Sequence, residues 1–335
     1  MKTRWAIIIT AVVVGITVGL GTYVLASTKK VEPEFTFYLV DHATADPFHS
    51  VIFKGFYDAL KLFNCEGEAY YPPAEIGVDV ETERRNFMLC MERNPDGIIT
   101  TLPDPSTLDA AVAEAIERGI PVIAMNTDDP EGAKGNKRLA YVGADLYADG
   151  YNAARIGITE YWHTGKRPKP EEINAVMACE EPTAEWSMRR ERGMRDFMKE
   201  YGVTDIPLMD LGGWDRSTQM RRIESWLAEH PETNCWLTPG TAVAIWRVCE
   251  DKGINPDEVT MIAFDLRPET LEGVEKGYIQ LTWDQGPYLQ GFIPVVHLYL
   301  INKYKLGAFD VATGGAYVTK ETVGIVKELA KTHYR

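Results

Sequence analysis

Cysteine, histidine and basic side chains are scarce in this sequence. Five cysteines and six histidines are spread over 335 residues, too few cysteines for a disulfide-dense scaffold. Lys and Arg total 35 against 49 Asp and Glu, which gives a formal charge of -14 at pH 7. A surface that binds the phosphate backbone of nucleic acid needs a basic face, so the sequence predicts no nucleic-acid partner.

Motifs for nucleotide and hydrolytic chemistry are also missing. No Gly-x-Gly-x-x-Gly follows the first predicted strand, and no Walker-type phosphate loop or Gly-x-Ser-x-Gly nucleophile elbow occurs. Two adjacent carboxylate pairs, Asp128-Asp129 and Glu180-Glu181, are more typical of solvated loops than of a glycosidase site. The sequence therefore predicts a protein that is not an enzyme and that uses no cofactor and no metal.

The cysteines leave one alternative open. Cys65 and Cys90 fall in the first half of the chain, and Cys235 and Cys249 fall in the second. In an oxidising compartment each pair would form a disulfide and leave Cys179 alone, whereas buried free thiols fit the sequence equally well.

The first thirty residues contain one long uncharged stretch. Residues 5–25 carry no charge, and about 21 residues at roughly 1.5 Å each would span about 31 Å, close to the thickness of a bilayer core. A signal peptide and a signal anchor both fit residues 1–30, because the length favours an anchor while Val24 and Ala26 before Ser27 favour cleavage. Both predict an extracytoplasmic location, in the periplasm or at the outer face of the cytoplasmic membrane, with membrane contact if the segment is uncleaved.

The rest of the chain alternates between short apolar runs and helical patterns. Residues 35–40 are rich in β-formers and predict a buried strand. Asp46-Pro47 then has the form of an N-cap followed by proline at the first helical position. Further strands are predicted at 69–71, 97–101, 121–126, 141–143, 175–178, 208–211, 235–238, 260–265 and 278–283. Because so many strand–helix units exceed one open sheet, the predicted fold class is α/β, with two doubly wound parallel-sheet lobes.

Polar and aromatic side chains follow the predicted strand ends, where doubly wound sheets bind ligands. In the first half these are Asp41, His42, Asp46, Phe48, His49, Thr100, Thr101, Asp104 and Asn126 to Asp129; in the second they are Glu180, Glu181, Trp186, Trp214, Asp215, Pro239, Thr241, Asp265 and Trp283 to Gln285. Carboxylates and amides bond hydroxyls, and flat aromatic rings cover the C–H faces of a sugar. This set predicts a polyhydroxylated neutral ligand. A metal or proton site at His42 and His49, with Asp41 and Asp46, is the alternative at the first strand end.

Seven segments in order resemble the type I periplasmic binding proteins, in particular the ribose- and galactose-binding group of sugar transporters. The segments are Asp46-Pro47-Phe48-His49, Asp96-Gly97-Ile98-Ile99, Ile120 to Asn126, Arg190-Glu191-Arg192-Gly193-Met194, Ala263-Phe264-Asp265, Trp283 to Pro287 and Gly314 to Glu321. The resemblance covers nearly everything from Phe35 to Val318. It implies two lobes joined by three crossings, with residues 31–143 plus 286–312 in the N-lobe and residues 144–285 plus 313–335 in the C-lobe.

The resemblance also implies roles for individual side chains. Asp46 and Asn126 would bond ligand hydroxyls, Phe48 and Trp214 would cover the two sugar faces, Arg190 would donate two bonds, Asp265 would accept from two hydroxyls, and Gln285 would lie near the hinge. The predicted site adds His42, Thr101 and Trp283. A buried Arg190 needs a counter-charge, which Asp265 or Asp215 would supply.

The sequence departs from the family pattern at three places. Asn126-Thr127 stands where the family has Asp-Arg, Pro239-Gly240 stands where it has Asn-Asp, and His49 replaces an aromatic residue. These departures argue against an unchanged ribose site, and the missing arginine predicts a less oxygen-dense ligand.

The resemblance therefore predicts an exported, monomeric solute-binding protein that captures a sugar or polyol by hinge closure and delivers it to an ABC transporter permease. A sensor that presents its closed form to a chemoreceptor or kinase keeps the same fold and is the first alternative. A secreted carbohydrate-active enzyme is the second. A transcriptional repressor would need a helix-turn-helix and a basic face, neither of which the sequence has.

Overall fold

The structure is a computed structural model that describes residues 32–334, so the predicted signal or anchor segment at 1–30 lies outside the described residues. From Phe35 onward the chain forms one compact unit. Among the described residues, no helix is both long enough and apolar enough to cross a membrane.

The first sheet in the described chain is wholly parallel, in the order β11-β5-β4-β3-β1-β2. Its strands are β1 Thr36–Val40, β2 Glu66–Tyr70, β3 Gly97–Thr100, β4 Val122–Met125, β5 Ala140–Gly143 and β11 Val311–Ala312. Every residue of β3 and β4 is buried, as expected for short apolar strands that are covered on both faces. We call this sheet and its helices the first lobe.

The second sheet repeats this plan, in the order β12-β10-β9-β8-β6-β7. Its strands are β6 Ala175–Cys179, β7 Leu208–Asp210, β8 Cys235–Leu237, β9 Thr260–Phe264, β10 Leu281–Asp284 and β12 Ala316–Val318. Strand β12 runs antiparallel to β10, with Tyr317 opposite Trp283, and the other pairs are parallel. This sheet and its helices form the second lobe, and the predicted two-lobed α/β class is confirmed.

Helices cover both faces of each sheet. Their bounds are α1 His49–Leu62, α2 Val80–Glu92, α3 Pro105–Glu117, α4 Leu146–Glu160, α5 Glu185–Tyr201, α6 Arg216–Glu229, α7 Val243–Asp251, α8 Pro268–Lys276, α9 Pro287–Tyr304 and α10 Val323–Ala330. Each lobe consequently has two apolar clusters, one on each side of its sheet. Several helices begin at an aspartate that accepts a backbone N–H of the first turn, such as Asp79 of α2 and Asp104 of α3.

The start of α1 differs from the prediction. The helix begins at His49 rather than at Pro47. The Asp46 carboxylate accepts the backbone N–H groups of Phe48 (3.0 Å) and His49 (2.8 Å), and it also accepts from the His49 ring at 2.9 Å. Asp46 therefore closes a turn ahead of the helix, and this turn places His49 beside it.

Two glycines let α4 and α5 pack with their backbones in contact. A Cβ atom on Gly150 would lie 2.2 Å from the Arg190 carbonyl oxygen, and one on Gly193 would lie 2.2 Å from the Tyr147 carbonyl oxygen. Any larger residue would push the helices apart. The close packing fixes Arg190 at the start of α5, beside the gap between the lobes.

The chain crosses between the sheets at residues 144–145, 285–286 and 313–315. The Thr313 backbone N–H donates to the Gly143 carbonyl (2.9 Å), and its hydroxyl donates to the Gln285 carbonyl (2.7 Å). The buried Gln290 amide donates to the same Gln285 carbonyl (3.1 Å), while its oxygen accepts from Asn126 at 3.0 Å. These bonds join the three crossings to one another and to a predicted ligand-binding side chain.

Cys90, Cys179, Cys235 and Cys249 are buried free thiols in this structure, and Cys65 is half-buried. Neither of the two disulfides that the sequence left open therefore forms within the described residues. Burial raises the pKa of Cys90 and of Cys249 to about 12.

Candidate functional site

A cavity of about 470 Å³ lies between the lobes, at the carboxyl ends of strands from both sheets. The cavity is lined by eight of the ten predicted binding residues, namely His42, Asp46, Phe48, Asn126, Arg190, Trp214, Asp265 and Gln285. We call this cavity the cleft. Each lobe contributes polar side chains and an aromatic ring to it, as a ligand enclosed between two lobes requires.

The other two predicted residues do not line the cleft. Thr101 is fully buried behind His42, where its hydroxyl donates to Glu83 and accepts from Nδ1 of His42 at 2.8 Å. Trp283 is buried in the second-lobe core and stacks on Tyr317, with ring centroids 6.0 Å apart. Side chains alternate between the two faces of a strand, so a residue close to a strand end can still point into the core.

Asn126 and Asp265 occupy equivalent positions in the two lobes. Each follows a central strand, β4 or β9, and each has a left-handed backbone with φ of 60° and 69°. Their N–H groups bond the neighbouring strand, to Val142 at 3.1 Å and to Trp283 at 3.0 Å. This strained backbone conformation aims a polar side chain into the cleft from each lobe.

Arg190 is buried on the second-lobe wall. Its guanidinium donates to the Pro239 carbonyl at 2.9 Å and lies over the Phe264 ring, 4.2 Å from the ring centre. Its Nε has no hydrogen-bond partner within the described residues. Burial lowers the pKa of Arg190, and the negative charge of Asp265 opposes that effect most strongly. Arg190 thus lines the cleft with one buried N–H group that has no partner within the described residues.

Asp215, the other predicted counter-charge, is placed elsewhere. Its carboxylate caps α6 by accepting from the Thr218 backbone at 2.8 Å and from the Ser217 hydroxyl at 2.7 Å. These hydrogen bonds lower the pKa of Asp215 to about 2. The aspartate preceding a helix here satisfies the helix terminus rather than Arg190.

The aromatic rings of the cleft come from both lobes. Trp214 and Trp186 of the second lobe lie with ring centres 6.3 Å apart and planes inclined by 30°, and the Trp214 ring nitrogen donates to Glu181 at 2.9 Å. Trp214 is 46% exposed at the rim. Phe48 of the first lobe packs edge-on against His49 at 5.2 Å. These rings offer flat apolar faces around the polar centre.

An ion pair joins the lobes across the cleft. Nη2 of Arg267, from the second lobe, lies 3.6 Å from Oδ2 of Asp46 in the first. The Arg267 guanidinium also lies over the Trp214 ring, 5.3 Å from its centre. Arg267 was not among the predicted binding residues, although it follows Asp265 by only two residues and so belongs to the same strand end.

Several further cleft residues were absent from the ten predicted binding residues. His49, Trp186 and Gln219 line the cleft. His49 and Trp186 follow strand ends, and that position was the available signal. Gln219 lies within α6 and donates to the Gly213 carbonyl at 2.7 Å, so it had no strand-end signal.

Asp41, His42 and His49 form a cluster on the first-lobe wall that could hold a metal ion, each offering one ligand atom within 4.8 Å of the others. Burial acts to raise the pKa of Asp41, but the nearby His49 and the His42 hydrogen bond outweigh it, and the pKa is lowered. Burial acts to lower the pKa of His49, but Asp41 and Asp46 outweigh it, and the pKa is raised.

Glu180 lies just beneath the second-lobe wall. Its Oε1 accepts from the backbone N–H and from the hydroxyl of Thr241, both at 2.9 Å, and its Oε2 has no partner within the described residues. Burial raises the pKa of Glu180 to about 7. A carboxyl that is part-neutral near pH 7 therefore supports the loop at Gly240 and Thr241, which lines the cleft.

A second, more apolar cavity of about 260 Å³ adjoins the cleft. The two cavities share Phe48, Asp265, Arg267 and Gln285, and α10 contributes Ala330 to the second one.

Two doubly wound lobes, three crossings and a polar, aromatic-rimmed cleft define a two-lobe ligand-binding protein. A family model described as a periplasmic binding protein domain matches residues 37–304. The chain belongs to this periplasmic binding protein family, and it is therefore a binding protein rather than an enzyme.

Relatives and solved structures agree with that assignment. The xylose/arabinose-binding protein XylF of Sulfolobus acidocaldarius is 26% identical over 305 residues, covering 87% of this chain and 72% of that protein. The glucose-galactose binding protein GanP of Geobacillus stearothermophilus has a TM-score of 0.71 at 23% identity, covering 87% of this chain and 99% of the other. A carbohydrate transporter of Acidothermus cellulolyticus in complex with myo-inositol has a TM-score of 0.70 at 23% identity, covering 90% and 100%.

Proposed function

We propose that this protein is an exported solute-binding protein that captures a sugar or sugar-like polyol between its lobes and delivers it to an ABC transporter permease. The observation that carries the proposal is the cleft, which combines hydroxyl-bonding groups and flat aromatic faces from both lobes. The names of XylF, GanP and the myo-inositol complex all refer to sugars, polyols or their transport.

The polar groups of the cleft differ in whether they donate or accept hydrogen bonds. Asp265 and Asp46 offer acceptors, Arg190 offers charged donors, and Asn126 offers both kinds of group. Hydrogen bonds to charged groups contribute about 1.5–3 kcal/mol each, more than neutral ones. We therefore propose that Asp265 and Arg190 dominate affinity and that Trp214 and Phe48 select the faces of the ring.

Closure would follow from the hinge. The three crossings at 144–145, 285–286 and 313–315 meet at Thr313 and Gln290, and a ligand that bridges both lobes would favour the closed form.

We propose lobe boundaries of 31–143 plus 286–312 and 144–285 plus 313–335, and a monomer as the working unit. The proposed extracytoplasmic location rests on the family and on the sequence of residues 1–30. N-terminal sequencing of the mature protein would show whether those residues are cleaved.

The test is a thermal-shift panel on purified protein that has been unfolded and refolded to remove carried-over ligand. The panel holds pentoses, hexoses, deoxy sugars and polyols, with Asp265→Ala as the matched negative control. A ligand at about 100 times its Kd should stabilise the folded state by about 2.7 kcal/mol. A hit that discriminates epimers in the unsubstituted protein and disappears in the variant supports the proposal, whereas a flat panel overturns the sugar assignment.

A further inference from the structure

Asp41, His42 and His49 form a cluster on the first-lobe wall, and two of its members, His42 and His49, line the cleft. Asp41 is fully buried at the end of β1, and its Oδ2 has no hydrogen-bond partner within the described residues. A buried carboxylate needs a nearby positive charge. Within the described chain, the ion-pair neighbours of Asp41 are two imidazoles, Nδ1 of His42 at 3.3 Å and Nε2 of His49 at 4.0 Å.

Both imidazoles are held by outer partners. Nδ1 of His49 donates to Asp46 at 2.9 Å, which leaves Nε2 on the side that faces Asp41. The Thr101 hydroxyl donates to the buried Glu83 and accepts from Nδ1 of His42 at 2.8 Å, which leaves the lone pair of the His42 ring on Nε2. Metal-binding histidines commonly have an oxygen partner of this kind, because it fixes the ring orientation and the tautomer.

The spacing also suits a small divalent ion. Metal–ligand bonds of about 2.0–2.2 Å place neighbouring ligand atoms of a tetrahedral zinc site about 3.3 Å apart. The three ligand atoms of the cluster lie within 4.8 Å of one another, so small side-chain movements would bring them onto one ion. His42 and His49 line the cleft, which leaves the remaining coordination position open to water or to a hydroxyl.

We propose that Asp41, His42 and His49 bind a divalent transition-metal ion of the zinc type on the first-lobe wall of the cleft. The ion would add positive charge beside the buried Asp41, whose Oδ2 has no hydrogen-bond partner within the described residues, and its open position would face the ligand space. This inference goes beyond the proposed transport function and does not depend on the identity of the sugar.

The test is isothermal titration of chelator-treated protein with ZnCl2, with Co2+ as a spectroscopic probe of coordination. We expect one Zn2+ per chain and a Co2+ visible spectrum typical of nitrogen and oxygen ligands. Loss of an outer partner alone weakens metal sites by about 10- to 100-fold, so His49→Ala should weaken Zn2+ binding by about 100-fold or more.

Two further variants serve as a conservative substitution within the cluster and as a control outside it. Asp41→Asn keeps the shape of the side chain and should also weaken Zn2+ binding by about 100-fold, with folding checked by circular dichroism. His230→Ala removes the half-exposed histidine that ends α6, outside the cleft, and should leave the affinity unchanged. Absence of Zn2+ binding in the unsubstituted protein, or equal affinity in the His49→Ala and His230→Ala variants, overturns the proposal.

Discussion

At the residue scale, the cleft is organised around two strained backbone positions. Asn126 and Asp265 both adopt left-handed φ values at the ends of central strands. A non-glycine residue in this region costs on the order of 1–3 kcal/mol and persists where the surrounding structure holds it. Here neighbouring strands accept both backbone N–H groups, and Gln285 donates to the Asp265 carboxylate at 2.5 Å. The strain therefore marks the two polar anchors of the proposed site.

Asp265→Ala tests the stronger of these anchors. The substitution removes a charged acceptor and also the negative charge that most supports the buried Arg190. We expect ligand affinity to fall by about 2–5 kcal/mol, much of it from the stranded arginine. Calorimetric titration with the ligand found in the panel measures the change. Asp104→Ala, which removes a helix cap outside the cleft, is the control, and a loss under about 0.5 kcal/mol in a folded Asp265→Ala variant would exclude the anchor role.

Glu180 predicts a pH dependence of stability. Its carboxyl has an ordinary pKa of 4.5 when the chain is unfolded and a pKa of about 7 when buried in the folded protein. Because the folded state retains the proton longer, this contribution is full below about pH 4.5 and is lost as the pH rises to about 7. The loss amounts to about 3–4 kcal/mol at most, at about 1.4 kcal/mol for each pKa unit.

Glu180→Gln should remove this slope, because glutamine stays neutral. Urea denaturation at several pH values between 5 and 8 should show a flatter stability profile than that of the unsubstituted protein. Glu229→Gln, at the exposed end of α6, serves as the control and should preserve the original slope. A slope that is identical in the Glu180→Gln variant would show that Glu180 does not titrate in this range.

At the scale of elements, the hinge is built from segment ends rather than from whole helices or strands. Gly286 precedes α9 with φ of 64°, and a Cβ atom there would lie 2.7 Å from the Thr313 carbonyl oxygen. Two crossings therefore approach each other so closely that only glycine fits between them. The same packing holds the end of β10 beside the start of β12.

Gly286→Ala should destabilise the protein by about 1–3 kcal/mol, since it combines a left-handed backbone with a steric clash. Chemical denaturation measures the change. Gly324→Ala is the matched control, because Gly324 lies in α10 with no neighbouring heavy atom within 4 Å of the added carbon. That substitution should stabilise the helix by about 0.5–1 kcal/mol. Equal effects of the two substitutions would argue against a tight crossing at Gly286.

At the scale of the whole molecule, the two lobes meet through a partly solvated ion pair in addition to the hinge. The side chains of Arg267 and Asp46 are each 33% exposed. Exposed pairs of this kind contribute about 0–1 kcal/mol and weaken with salt. The pair therefore acts as a modest latch between the lobes, in addition to the hinge.

Arg267→Ala should lower ligand affinity by no more than about fivefold at low salt, equivalent to about 1 kcal/mol. The difference in affinity from the unsubstituted protein should shrink at 0.5 M NaCl, because the Debye length is then only about 4 Å and the ion pair is screened. Arg84→Ala, which removes an ion pair within α2, is the control. A salt-independent loss of a hundredfold would instead identify Arg267 as a direct ligand contact, and the latch interpretation would be wrong.

Much of the fold could be predicted because its signals are local. Apolar runs such as β3 and β4, and the helical spacing of α1, depend on residues close together in sequence. The polar residues after the strands could be predicted as site candidates for a similar reason, because every parallel strand presents its carboxyl end at the same edge of its sheet. The bounds of edge strand β2 were harder to predict from the sequence, since the strand begins with the polar Glu66-Gly67-Glu68.

The sequence by itself thus determined the two-lobed class and most of the residues around the cleft. The tertiary structure alone decided that Thr101 and Trp283 point into the core, that Asp215 caps a helix, and that Arg267 reaches Asp46 across the gap. These outcomes depend on the direction in which a side chain leaves its element and on contacts between residues up to 221 positions apart, as for Arg267 and Asp46. No local sequence pattern encodes these side-chain directions or these long-range contacts, because both are fixed together when the two lobes pack.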